Sequence, residues 1–269
     1  MSFAKHLRIA PGTKVRLKDI DPGGTLGEKD KDAANEQRLA HVEKLAGFSE
    51  LLWADNRFAL LVVLQGMDTA GKDGTIRRVM SGINPRDCSV VSFKRPTDEE
   101  LDHDFLWRIH KACPARGEIG VFNRSHYEDV VIVRVHNLVH EKVWSRRYDQ
   151  INTFEGILNA NGTRILKFFL HISKDEQKQR LEARIQDPVK NWKMEPADLE
   201  ERKHWDEYQE AYEAAITRCN TEDAPWHVIP ADKKWFRNLA ISSILIETLE
   251  SMNLKPPKAK FDVSKLKVE

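Results

Sequence analysis

Long apolar runs are missing from this sequence: none approaches the roughly 20 residues that a membrane-spanning helix requires, so no membrane partner is expected. Cysteine is scarce. Cys88, Cys113 and Cys219 form no CxxC pair and leave an odd number, which speaks against a disulfide framework and for a reducing compartment. The opening "MSFAKHLRIAPG" lacks the apolar core of a secretory leader, and the expected location is cytoplasmic. Neither sign of charge dominates, since 43 Lys and Arg face 42 Asp and Glu for a net charge of +1. That balance excludes a general attraction to nucleic acid or acidic membranes, so a polyanion must be met by local clusters of cations. No internal repeat or low-complexity segment is visible.

What is present suits one large α/β domain: 269 residues, 41% hydrophobic and 32% charged. The first 30 residues, rich in Gly, Pro and charge, read as an irregular lead-in. Residues 30–55 place Leu39, Val42, Leu45, Phe48, Leu51 and Leu52 at helical spacing. "FALLVVLQ" is a continuous apolar run that ends in a glycine loop, the pattern of a strand buried on both faces. Similar short runs follow at "CSVVSF", "IGVFN", "ILKFFLHI" and "WHVIP", separated by helix-like segments. The alternation predicts a parallel sheet flanked by helices. Its parts are an N-terminal extension and helix (1–55), a core (56–172), a charged helical insertion (173–224), a last strand and helix (225–253) and a basic tail (254–269). The final helix, "KKWFRNLAISSILIETLESMN", reads as amphipathic.

The core begins with a phosphate-loop spacing. Gly66, four residues, Gly71 and Lys72 fit G-x-x-x-x-G-K between a buried strand and a helix. Backbone amides of Ala70, Gly71 and their neighbours converge on phosphate oxygens, the helix start adds positive charge, and Lys72 reaches toward a transferring group. The Ser or Thr that normally follows the lysine and helps hold Mg²⁺ is absent; Asp73, Gly74 and Thr75 stand there instead. Asp68, inside the loop, would repel phosphate unless a divalent cation lies between them. Hard cations favour carboxylate oxygen and stay on substrate phosphates, so Asp68 reads as a Mg²⁺ ligand. Asp73 reads either as part of the same site or as a favourable acid in a helix's first turn.

Further candidates cluster at neighbouring strand ends. After "IGVF" comes Asn123, where an acid often helps hold the metal; it is neutral and a weaker ligand. Arg124 suits a phosphate through its planar fork, or else makes a structural ion pair. Lys94 follows the preceding strand, at the carboxyl edge where ligands collect in open α/β sheets. The insertion concentrates Lys178, Arg180, Arg184, Lys190 and Lys193, as a lid over a phosphoryl-transfer site would. Behind them Trp205, Tyr208, Tyr212 and Ile216 share a helix face suited to packing on the domain. His136 and His140 stand four apart, but no acid pattern supports a metal site, and packing or surface roles fit them better. Ser125 and His126, being adjacent, are not oriented as a hydrolase pair.

"GMDTAGKDGTI", "MSGINPRDCSVVSFKRPT", "DHDFLWRIHKACPARGEIGVFNRSHYEDV" and "DPVKNWKM" together resemble the polyphosphate kinase 2 family, in the family's order and over roughly residues 30–253. The resemblance implies a P-loop kinase fold with a helical lid and Mg²⁺-dependent, reversible phosphoryl transfer between inorganic polyphosphate and nucleotides. Mn²⁺ is the expected substitute metal. Asp68 then matches the metal-binding loop acid, Lys72 the loop lysine, Arg124 the arginine after the second strand motif, and Arg180 and Arg184 the lid-base arginines. Many members carry Asp where this chain has Asn123. Glu128 resembles the subgroup that accepts AMP as well as ADP, where a carboxylate holds a metal or water beside an extra transfer position. The implied partners are polyphosphate and AMP, ADP and ATP, with guanine nucleotides as a further class, in a homo-oligomer. Two rivals stay open at this level: an ATP-dependent nucleoside monophosphate kinase, and a non-catalytic P-loop module that binds polyphosphate or nucleotide.

Overall fold

The run "ALLVVLQ" forms β1 (Ala59–Gln65), and every residue of it is buried. It is the centre of a five-stranded, all-parallel sheet with β2 (Cys88–Ser92), β3 (Ile119–Asn123), β4 (Thr163–His171) and β5 (Trp226–Pro230), in the order β2-β3-β1-β4-β5. Burial from both sides explains the unbroken apolar run of β1 and the largely apolar one of β4, where Lys167 is itself buried. At the edge, β2 is different: Val90 is 48% exposed and none of the strand's residues is fully buried.

The computed structural model describes all residues except Met1, Lys190, Glu195, Lys260 and 262–269, and only the backbone at Lys193 and Asp198. Its helices are α1 (Phe3–Leu7), α2 (Lys31–Asp55), α3 (Lys72–Val79), α4 (Asp98–Leu101), α5 (Trp107–Ala112), α6 (Glu128–Val135), α7 (Glu141–Ala160), α8 (Lys174–Gln186), α9 (Pro196–Glu201), α10 (Trp205–Arg218) and α11 (Lys234–Ser251). Asp30 caps α2 by accepting from the Asp32 and Ala33 amides, and the helix ends at Asn56 in the left-handed region. The result is the expected α/β arrangement, a parallel sheet between helices with the P-loop joining β1 to α3.

Three local readings are revised. The first 30 residues are not merely irregular, because Phe3, Leu7, Val15 and Leu17 are buried in the core and pin the segment down. Phe3 meets Phe236 of α11 with ring centroids 5.9 Å apart. The last helix is more than amphipathic: α11 packs against α1, α2, α3 and β5 and is buried along most of its length. The charged helical insertion is broken by a 3-10 turn, Arg202–His204, between α9 and α10. There Arg202 donates to the Lys174 carbonyl at 2.8 Å and to Gln177 Oε1 at 2.6 Å, which ties the turn to α8.

Candidate phosphoryl-transfer site

At the carboxyl end of β1 the chain must leave the sheet and enter α3 within six residues, which is possible only with unusual backbone angles. Gly66 takes φ +148°, and a Cβ there would lie 2.8 Å from the Leu170 carbonyl oxygen. Thr69 sits at φ 62° and Gly71 at φ +109°. The loop closes on itself through Ala70 N–H to the Met67 carbonyl at 3.1 Å, and α3 begins with Thr75 N–H to the Gly71 carbonyl at 2.9 Å. Lys72 is buried and curls back, donating to the Gly66 and Met67 carbonyls at 2.8 and 3.3 Å. Burial, then the nearby Arg124 guanidinium, pushes its pKa down to about 8. An arriving phosphate would reverse that shift by supplying the missing anion.

β3 lies beside β1 with Leu64 opposite Asn123, so the two strands end together. Asn123 donates to Asp73 Oδ1 at 2.6 Å. Arg124 adopts φ 62°, a left-handed conformation that a non-glycine residue rarely takes and that aims its side chain across the crevice. Its Nη2 donates to Asp68 Oδ1 at 2.7 Å, and its Nη1 to Glu128 Oε2 at 3.4 Å. Glu128 first, and Asp68 after it, hold the Arg124 pKa above its ordinary value against the opposing effect of burial. Asp68, Lys72, Arg124 and Glu128 are thus one cluster. Thr75 is fully buried, and its Oγ1 has no hydrogen-bond partner among the described residues.

The other candidates fall around this centre. Lys94 is exposed beyond the end of β2, two strands away from β1 or about 10 Å across the sheet. Arg180 uses every guanidinium donor on protein oxygens: Glu176, the Thr69 and Ala70 carbonyls, and the Ala231 and Asp232 carbonyls. In this conformation it braces the phosphate loop. Arg184 follows one turn later on α8, half-buried. Lys193 ends a short 3-10 turn, Asn191–Lys193, with only its backbone described, and Lys190 lies outside the described residues.

Several site residues escaped the sequence reading. Gln177 donates to the Asp68 carbonyl at 3.1 Å. Glu201 lies 2.9 Å from His136 Nε2 and accepts from Tyr208 at 2.6 Å. Tyr208 and Tyr212 had been placed on one helix face, but not in the site; with Asp68, Arg124 and Glu128 they line the same cavity. No local motif marks Gln177 or Glu201, because their relevance depends on α8 and α9 lying over the loop. His140 accepts from the Lys142 amide and caps α7. His126 is buried against Glu155 at 3.1 Å, behind the site.

Whether this cluster suits a divalent cation can be judged from its oxygens. Among the described residues no three metal-ligating side chains converge. Mg²⁺, however, usually takes one or two carboxylates and completes its shell with water and substrate phosphate. Asp68 has that character: its side chain is 30% exposed, and Oδ2 accepts no hydrogen bond among the described residues. Asn123 presents its amide N–H₂ to Asp73 in this arrangement, so its oxygen is the atom left for a metal or water.

A glycine loop with a buried lysine, an in-loop carboxylate and an arginine across the crevice define a phosphoryl-transfer enzyme of the P-loop class. The family model for Polyphosphate kinase 2 (PPK2) matches residues 28–257. The chain is 51% identical to the AMP/ADP-polyphosphate phosphotransferase of Meiothermus ruber, over 98% of this chain and 100% of that one. It is 48% identical to the ADP-polyphosphate phosphotransferase of Rhodopseudomonas palustris, over 94% and 92% of the two chains. The crystal structure of Polyphosphate Kinase 2 from Arthrobacter aurescens TC1 superposes with a TM-score of 0.95 at 45% identity, covering 98% of this chain and 94% of the other. The protein belongs to the polyphosphate kinase 2 family.

Proposed function

We propose that the protein is a polyphosphate-dependent nucleotide kinase that transfers a phosphoryl group reversibly from inorganic polyphosphate to AMP and ADP, forming ADP and ATP. The observation that carries this reading is the meeting of Asp68 and Arg124 over a phosphate loop, in a chain of this family. The similarity to a protein named for both AMP and ADP supports the two acceptors.

The acceptor phosphate oxygen is already ionised at neutral pH, so the reaction needs no strong base. Positioning and charge neutralisation carry the rate. Arg124 exchanges its Asp68 and Glu128 partners for the transferring group and its neighbour, while Lys72 turns from the Gly66 and Met67 carbonyls toward phosphate. Asp68 is the residue to hold Mg²⁺, or Mn²⁺ in its place, with Asn123 and Glu128 as weaker or water-mediated contacts. A bound divalent ion supplies charge neutralisation along the phosphates and a fixed template for them.

The cavity measures about 30 Å³, room for a water or two, whereas ligand pockets are typically about 300–1,000 Å³. Substrate entry therefore needs α8 and α9 to shift off the loop, breaking the Gln177–Asp68 and Glu201–His136 contacts, while α10 stays packed in the core. Guanine nucleotides as additional acceptors, a homo-oligomeric state and a cytoplasmic location complete the reading. In the structure, no helix among the described residues is long and apolar enough to cross a membrane.

The test is a donor and acceptor panel: protein, Mg²⁺ and either AMP or ADP, with long-chain polyphosphate or ATP as donor. New nucleoside di- and triphosphate from polyphosphate is expected. Turnover with ATP and AMP but not with polyphosphate would favour a monophosphate kinase instead, and tight polyphosphate binding without turnover a sensing module.

A further inference from the structure

Arg237 comes from α11 and is not part of the crevice wall. Its guanidinium lies beneath the turn that opens α3. Nη1 donates to the Ala70 carbonyl at 2.9 Å, and Nε and Nη2 share the Asn238 amide oxygen at 3.2 and 3.0 Å. The residue is 3% exposed. A Cβ on Gly71 would stand 1.9 Å from Nη1, and one on Gly74 3.5 Å from Nη2. Those glycines leave open the space that the guanidinium occupies.

Every partner of this cation is a neutral oxygen, and among the described residues no carboxylate pairs with it. The charged group that does act on it is Arg180, a second cation bonded to the same Ala70 carbonyl. Arg180 has Glu176 beside it at 2.8 Å, while Arg237 has no such acid. A buried charge is costly unless an opposite charge accompanies it. A neutral amide or thioether would fill the same space without that cost. What the charge adds is a positive field aimed at the amides of the loop from behind, little screened by solvent. Burial, then Arg180, pushes the Arg237 pKa down to about 9, as expected for a cation that lacks its anion.

We propose that Arg237 is a positioning residue whose counter-charge is the bound phosphate chain. It holds the Ala70–Gly71 turn in shape and keeps uncompensated positive charge under the loop, which phosphate binding neutralises. The proposal rests on the reading of residues 66–72 as a phosphate loop. It differs from a space-filling role in one respect: loss of the charge weakens phosphate binding without weakening the ligand-free fold.

The experiment compares the full-length wild type with Arg237→Lys, Arg237→Gln and Arg237→Met. Thermal unfolding is followed with and without inorganic tripolyphosphate, alongside titration of that probe and steady-state kinetics with ADP and long-chain polyphosphate. Wild type should be stabilised by tripolyphosphate. The Gln and Met variants should match or exceed wild type without ligand, yet bind tripolyphosphate about tenfold more weakly, the scale of a unit charge about 10 Å away at an effective dielectric of about 20. Their KM for polyphosphate should rise in step, and Arg237→Lys should recover most of the binding.

Wild-type binding in the uncharged variants would overturn the proposal. So would equal impairment of the Lys and Gln variants, the mark of a shape-filling role. Failure of both uncharged variants to fold would also overturn it, because the ligand-free fold must tolerate a neutral side chain there. A wild type that tripolyphosphate leaves unmoved would bring down the phosphate-loop reading itself, and the two failures are therefore distinct.

Discussion

Arg124 and Asp68 meet at 2.7 Å although they are 56 residues apart, tying the end of β3 to the loop that follows β1. Each neutralises the other, and in the proposed reaction Arg124 would meet phosphate and Asp68 a divalent cation instead. The pair is partly exposed, with side chains 38% and 30% accessible. As a stability element it is therefore worth little, about 0–1 kcal/mol after screening.

That contrast predicts the behaviour of Asp68→Ala. Turnover should fall by about 100-fold or more, as when a single group that organises transition-state charge is removed. The unfolding midpoint should stay close to that of wild type. Steady-state rates at saturating Mg²⁺ and a thermal melt check both halves; near-normal turnover would remove Asp68 from the metal site.

Glu128 occupies the first turn of α6, 3.4 Å from Arg124, on the wall of the same cavity as Tyr208 and Tyr212. Glu128→Asn should reduce kcat/KM for AMP about tenfold more than for ADP, at the lower end of what one site contact discriminates. Parallel assays with the two acceptors measure the ratio, and equal losses would refute a role in acceptor choice.

Behind the site a buried network joins Lys167 to Glu155 at 2.6 Å, to Tyr127 at 2.8 Å and to the Cys219 carbonyl at 2.6 Å. Glu155→Gln or Lys167→Met alone should destabilise the fold by about 3–5 kcal/mol, since each strands a buried partner. The double variant Glu155→Gln with Lys167→Met should lose less than the sum of the two, measured by urea unfolding. Burial raises the Glu155 pKa, but Lys167 and His126 outweigh it and leave it below its ordinary 4.5. This contribution is accordingly present above about pH 4.5 and disappears as the pH falls through the lower, folded-state value.

His227 on β5 is 2% exposed. Burial, then the Arg8 guanidinium, pushes its pKa down from 6.5 to about 4. The unfolded chain takes up a proton there before the folded one does. Stability from this residue is thus complete above pH 6.5 and is lost as the pH falls toward 4, by at most about 3 kcal/mol. Denaturant midpoints at pH 7 and pH 5 should differ less in His227→Phe than in wild type. His171, shifted in the same direction by burial, accounts for part of the slope that remains.

Much of the architecture was legible because the physics that builds it is local. Residues 59–64 are apolar without interruption because they are covered on both faces, and Leu45 and Leu52 recur at helical spacing because α2 buries them in the core. The N-terminal 30 residues were harder to read. Phe3 and Leu7 sit too far apart from Val15 and Leu17 to show a period; α11 and β5 supply the surface that buries α1, and α10 accepts hydrogen bonds from the Val15 and Leu17 amides.

The site divides along the same line. By itself the sequence determined the chemistry at the loop: the G-x-x-x-x-G-K spacing, the in-loop carboxylate Asp68 and the arginine after β3 are each set by neighbours in the chain. Tertiary structure alone decided that Arg124 faces Asp68, that Arg180 braces the loop, and that Arg237 lies beneath Gly71 with no acid paired to it among the described residues. The reason is that burial and charge compensation depend on distances between elements, and no spacing along the chain encodes which helix passes behind a loop.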